Sequence, residues 1–408
     1  MGMRLGSAHG LGAHTWRSLI AALAVAVIVT LGATSATTAS PDCRVQNTDT
    51  GKTYAALQVA VDAASTGDHL TVAGTCHGTT VIDKNLLIEG KRTRSGTPTL
   101  DGDGKLRPLT IMGSRPGRVR VTRAPRVTIR DLTIRDGRAS PPIHVPEYGG
   151  AVGGGIWNDG TLKLLDVVVR DNRGAIRGGG IFNATHATLR LNGRTRIIGN
   201  KATYSGGGIE CWYCTVILND SSTIEGNTAR PRYGDGGGVF IYHGQLTLNG
   251  SSAIRGNTAR SHGGGVFYFE AGIVLNDTSS IRDNRAGASG GGIFDTGPYD
   301  YDFPGGGGIT LNDASSITGN RAAASDSCCE RRCGGTRSLG GGVWVAFATT
   351  FTMTGASVIS GNHAACGAGG LYSEIGPDSS GSLVGVSCAP QTLANVYGNT
   401  PDDCYIEP

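Results

Sequence analysis

Charge is scarce in these 408 residues: 17% are Asp, Glu, Lys or Arg, against roughly 25% in an average soluble domain. With 38% hydrophobic residues beside it, that scarcity excludes a disordered polyelectrolyte. Basic residues outnumber acidic ones only 36 to 32 and lie scattered along the chain, so no nucleic-acid footprint is present and no nucleic-acid partner is expected. Long apolar runs are missing after residue 31, where no segment reaches the ~20 residues that cross a bilayer. Helical stripes are missing from the glycine-rich part of the chain, which excludes a fold dominated by packed helices. What is abundant is glycine, 67 residues, more than twice the usual share of about 7%.

Residues 1–39 contain no acid, carry Arg4 and Arg17, run apolar over residues 19–31, and end in Ala33-Thr34-Ser35-Ala36 and Thr37-Thr38-Ala39. That is the pattern of a secretory signal peptide, its apolar core being too short for a membrane anchor. Its removal takes the net charge from +4 to +2, since only the two arginines are lost. Ser40-Pro41-Asp42 before Cys43 lacks the small residues of a lipoprotein signal. The expected product is secreted, extracellular, monomeric and without a membrane span.

Ten cysteines (Cys43, Cys76, Cys211, Cys214, Cys328, Cys329, Cys333, Cys366, Cys388 and Cys404) form an even set, which in an exported chain reads as disulfides. Sequence leaves the pairing open, although Cys43 with Cys76 and Cys388 with Cys404 would staple the two ends. Cys211-Trp212-Tyr213-Cys214 has redox spacing, but no helix start follows it. It also lacks the second ligand pair that zinc needs. His144, His243, His262 and His363 have no metal spacing, so neither metal nor cofactor is expected.

Repetition organises the rest. Gly-Gly-Gly precedes Ile156, Ile181, Ile209, Val239, Val266, Ile293 and Val343, and a shortened copy precedes Leu371. A second column is Leu191, Leu218, Leu248, Leu275, Leu311 and Met353. A third, Val169, Ile197, Ile224, Ile254, Ile281, Ile317 and Ile359, is followed three residues later by Asn172, Asn200, Asn227, Asn257, Asn284, Asn320 and Asn362. The commonest offsets of 9, 6 and 12 residues make a unit of 27. Such short apolar triplets are strands, and Gly or Asn between them are corners, because both tolerate left-handed backbone. Three strands per coil cannot bury their own apolar face, but stacked coils can. The expected fold is all-β: a single parallel β-helix solenoid with three short strands per coil.

The glycine-triplet and Ile-x-Gly-Asn motifs of residues 150–372 resemble the repeats of polymorphic outer membrane proteins. They also resemble secreted bacterial right-handed β-helix proteins of the pectin-lyase-like superfamily, which implies a right-handed coil. Residues 1–39 are then the signal peptide and residues 40–66 an N-terminal cap, whose amphipathic helix over 53–65 carries Tyr54, Leu57, Val61 and Ala64 on one stripe. Residues 67–404 form the β-helix, irregular over 67–149 and regular over 150–372. Residues 373–408 supply C-terminal coils and a cap.

Departures from the 27-residue unit locate insertions at 138–150, 231–233, 295–306 and 323–339, all flanking one strand, and repeat proteins often place insertions on the binding face. Directly after the first column stand Trp157, Phe182, Glu210, Phe240, Phe267, Phe294, Trp344 and Tyr372. If the first column points inward, this aromatic column points outward and suits the apolar faces of sugar rings. The expected function is structural or binding, engaging cell-wall or environmental polysaccharide through Trp157, Phe182, Phe240, Phe267, Phe294 and Trp344. Replacing Trp157 and Phe182 by Ala is then expected to weaken glycan binding without unfolding. The alternative is a polysaccharide lyase or glycoside hydrolase with a groove between loops 138–150 and 295–306. Its weak catalytic candidates are Asp300, Asp302, Glu147, Arg232 and Arg331, and calcium enters only in the lyase case.

Overall fold

The computed structural model describes residues 42–94, 96–112, 124–139, 150–173, 175–230, 234–297, 307–323, 339–346, 349–374, 382–388 and 394–406. The expected signal peptide lies outside them. Nearly all the regular structure is strand, in parallel ladders that stack one coil on the next in a solenoid-like arrangement. Among the described residues, no helix is long and apolar enough to cross a membrane.

Each apolar column becomes one ladder. Ile197, Ile224, Ile254, Ile281, Ile317 and Ile359 pair in register, as do Leu164, Leu191, Leu218, Leu248, Leu275, Leu311 and Met353. The residues after the glycine triplets, from Ile156 to Leu371, form the third ladder. All three rows belong to one continuous core, and each wholly buried Ile or Leu contributes about 1.5–3 kcal/mol of transfer free energy.

Two expectations about the coil need correction. A fourth short ladder joins the expected three, pairing Lys201–Ser205, Thr228–Ala229, Thr258–Ala259, Arg285–Ala286, Arg321–Ala322 and the start of His363–Ser373. It buries Ala202, Ala229, Ala259, Ala286, Ala322 and Ala364, side chains small enough for a tight corner. The asparagines, moreover, are not the left-handed residues. Gly226, Gly256 and Gly319 hold that conformation beside them, with Asp171 and Asp283 in equivalent places. The asparagines instead form a buried amide ladder. Asn257 Nδ2 donates to Asn284 Oδ1 at 3.0 Å and to Ile224 O at 2.9 Å, while its Oδ1 accepts from Asn227 Nδ2 and Asn227 N. The same pattern runs from Asn172 to Asn399. Asn219, Asn249, Asn276 and Asn312 form a second ladder at another corner.

At the N-terminal end, helix α1 covers Leu57–Ala63 and buries Leu57, Ala60 and Val61. It is shorter than the expected 53–65, because Thr53–Tyr54 is drawn into an antiparallel strand against Arg44–Asn47, which also pairs with His69–Ala73. Lys84 Nζ donates to the carbonyls of Val61 and Ala64, closing the other end. Disulfides join Cys43 to Cys76, Cys211 to Cys214 and Cys388 to Cys404, and favour an oxidising compartment. Cys366 is disulfide-bonded as well; Cys328, Cys329 and Cys333 lie outside the described residues.

Candidate functional site

Strand alternation sends the residue after each first-column residue away from the core, as it does the residue two further on. The outer face of the third ladder therefore carries two rows of rings. In the first, Phe240, Phe267, Phe294, Trp344, Tyr372 and Tyr405 stack in sequence, with centroids 4.9, 5.3, 4.5, 6.5 and 5.1 Å apart and planes within 22° of parallel. In the second, Tyr242 stacks on Phe269 at 4.8 Å and meets Trp212 at 4.9 Å with the planes tilted by 32°. Each stacked pair stabilises its coil contact by about 0.5–1.5 kcal/mol beyond burial. Phe240, Tyr242, Phe269, Phe294 and Trp344 remain half-buried and so present ring surface to solvent.

The expectation of an open ladder from end to end is corrected. Phe182 is 0% exposed, Trp157 7% and Phe267 9%. Trp157 and Phe182 pack with Val152 and Ala184 as a separate apolar cluster, and the Arg107 guanidinium lies over the Trp157 ring at 5.4 Å. Stacked rings shield one another, and here the segment at Val152 adds cover. Glu147, Arg232, Asp300, Asp302 and Arg331 lie outside the described residues.

Bordering the second row, His186, Tyr213, His243 and Glu270 all hold left-handed backbone, with φ between 45° and 63°, a conformation that is strained for such side chains. Successive coils hold it through the backbone bonds from His186 N to Tyr213 O and from Tyr213 N to Tyr242 O. Tyr213 stands 45% exposed and stacks on His243 at 4.6 Å, and His243 Nδ1 meets Glu270 Oε2 at 3.1 Å. Retained strain beside an exposed aromatic face is the kind found at functional surfaces.

Glu210 interrupts the ring column between Phe182 and Phe240, and its chemistry was not foreseen from sequence. It is wholly buried, accepts from Trp212 Nε1 at 2.9 Å and has Arg177 Nη1 at 3.8 Å. Burial pushes its carboxyl up to about 7 against the pull of Arg177. Below its ordinary 4.5 the carboxyl is neutral in both folded and unfolded chains. Between 4.5 and 7 only the unfolded chain ionises, so stability falls across that window and levels off above it. Glu210→Gln should escape this loss. In urea titrations the variant's advantage over wild type should grow by about 3 kcal/mol from pH 4.5 to 7, and a constant difference would contradict the assignment.

Asp295, the first residue of the 295–306 insertion, is buried in the inward row after Tyr268. It accepts from Gly297 N at 2.8 Å, from Ala346 N at 3.2 Å and from Thr349 Oγ1, and burial raises its carboxyl. It holds the departure of the 295–306 insertion. A further cluster missed from sequence brings ligand atoms of His77, Asp101 and Asp103 within 4.8 Å of one another. Its members are already engaged, His77 Nδ1 lying 2.6 Å from Asp103 Oδ1 and the neighbouring Arg135 Nη2 2.9 Å from Asp101 Oδ2.

No protein family, curated protein or solved structure matches this chain. The reading of its function therefore rests on the geometry of this face.

Proposed function

We propose that the chain is an exported, extracellular right-handed parallel β-helix that binds polysaccharide along the two-row aromatic face. The observation that carries this reading is the continuity of the rings: half-buried aromatics recur coil after coil at about the 4.8 Å strand spacing, a surface suited to a linear sugar chain. The disulfides fit export. Among the described residues, the acids with raised carboxyls, Glu210 and Asp295, are both buried, so neither is placed to cleave a bound sugar chain. Glu210 sits between Trp212 and Arg177, where it serves the packing of the face.

Because Trp157 and Phe182 are buried, the test moves to half-buried rings that present surface to solvent. The double variant Tyr242→Ala and Trp344→Ala should lose at least about fivefold in retention on insoluble neutral glycans such as cellulose or chitin, about 1 kcal/mol, while circular dichroism shows it still folded at the assay temperature, its thermal midpoint lowered by the lost ring contacts. Retention equal to wild type would remove the reading, as would absence of binding by wild type to every neutral glycan in an array.

A further inference from the structure

The basic residues that look scattered in the sequence are gathered by the coil. Arg138 pairs with Arg173 across a bridge, and Lys201 follows one coil on through Lys201 N to Asn172 O. Thr228, Thr258, Arg285 and Arg321 continue that column. Beside it, on the same outward side of the buried alanines, stand Arg230 and Arg260, hydrogen-bonded to Ala202 O and Ala229 O. Seven consecutive coils thus contribute one cation each, all exposed, at a spacing of about 4.8 Å.

Several arginines on other faces are neutralised: Arg130 by Glu89, Arg170 by Asp171, Arg196 and Arg255 by Glu225, and Arg282 by Asp283. Among the described residues, no ion pair reaches any of the seven. The middle of the stripe is concave, an open groove of about 480 Å³ lined by Arg173, Lys201, Arg230 and the side chains of Thr203, Thr228 and Thr258.

We propose that this stripe is a second binding surface, separate from the aromatic face, and that it takes a linear phosphodiester chain of the polyol-phosphate type. Six of the seven cations are arginines, whose planar forks match phosphate oxygens with two hydrogen bonds, and threonine hydroxyls between them can donate to the same oxygens. Among the described residues, no aromatic ring lines the groove. Tyr204, next in the chain after Thr203, is instead engaged by Arg177 at 5.4 Å. Nucleobases, and the apolar faces of sugar rings, are gripped by stacking, which the described lining does not offer, so charge and hydroxyl recognition of an acyclic backbone fits it best. One cation per coil also suits one strand better than a duplex, whose charges lie on two strands.

The test uses the full chain with synthetic poly(glycerol phosphate), polygalacturonate and single-stranded oligo(dT) of matched charge number. Poly(glycerol phosphate) should bind most tightly, with affinity falling steeply as salt rises. The variant Arg173→Gln, Lys201→Gln, Arg230→Gln should weaken it about tenfold or more, because several weak contacts act along one chain. A control with the same charge loss at paired sites, Arg170→Gln, Arg194→Gln, Arg282→Gln, should stay within about twofold of wild type, and circular dichroism should show both variants folded. Three results would overturn the proposal: no binding of the phosphate polymer at low salt, equal loss in the control, or tighter binding of polygalacturonate or oligo(dT). Retention on neutral glycans should be unchanged in the stripe variant, so failure here is distinguishable from failure of the aromatic face.

Discussion

Asn257→Ala should lower the unfolding free energy by about 4 kcal/mol, a large effect for the removal of one small side chain. The amide of Asn257 sits at 0% exposure and serves three coils at once, donating to Asn284 Oδ1 and Ile224 O and accepting from Asn227 N and Nδ2. Alanine fills none of these roles. It leaves the Asn227 backbone N–H and part of two amides unpaired in a dry interior, where each orphaned group costs about 1–3 kcal/mol. Asn249→Ala, in the half-buried second ladder, should cost less than half as much, because water can reach the groups it leaves. Equal denaturant midpoints for the two variants would contradict the cooperative role given to the inner ladder.

Gly264→Ala should be comparably damaging, for a different reason. A Cβ at Gly264 would lie 2.4 Å from Gly291 O and 2.5 Å from Arg285 C, both backbone atoms of the next coil. No side-chain rotation relieves that contact. The coils must separate, and a loss of about 3 kcal/mol or more is expected, at the upper end of overpacking effects. Gly256→Ala is the control: its φ of +61° makes alanine strained, but the nearest backbone atom is 3.9 Å away, so the cost should stay near about 1–2 kcal/mol. Urea unfolding of the two variants measures the difference, and a Gly264→Ala variant no weaker than Gly256→Ala would show that the triplets do not set the spacing of the coils.

The ladders were legible because period and burial coincide. Ile224, Ile254 and Ile281 recur at nearly constant spacing and have one place to go. The fourth ladder was not legible, since Thr228-Ala229 and its equivalents are too short and too weakly apolar to announce a strand. The asparagines were recognised as corner residues, but their positions do not reveal that their neighbours Gly226 and Gly256 take the left-handed backbone and leave the amides free to bond along the stack. Glu210 was visible as the one acid in an aromatic column, yet its near-neutral carboxyl depends on cover that no local pattern encodes. The cation stripe was hidden for a topological reason: Arg173, Lys201 and Arg230 lie 28 and 29 residues apart, on two columns, and only the winding makes them neighbours.

All of this depends on successive coils lying directly over one another. Nitroxide labels at Lys201 and Arg321, joined through the register of Thr228, Thr258 and Arg285, are 120 residues apart in the chain but only four coil steps apart in space. Pulsed dipolar spectroscopy should give one narrow distance near 19 Å, four steps of about 4.8 Å. A broad distribution, or a distance beyond about 30 Å, would contradict the stack.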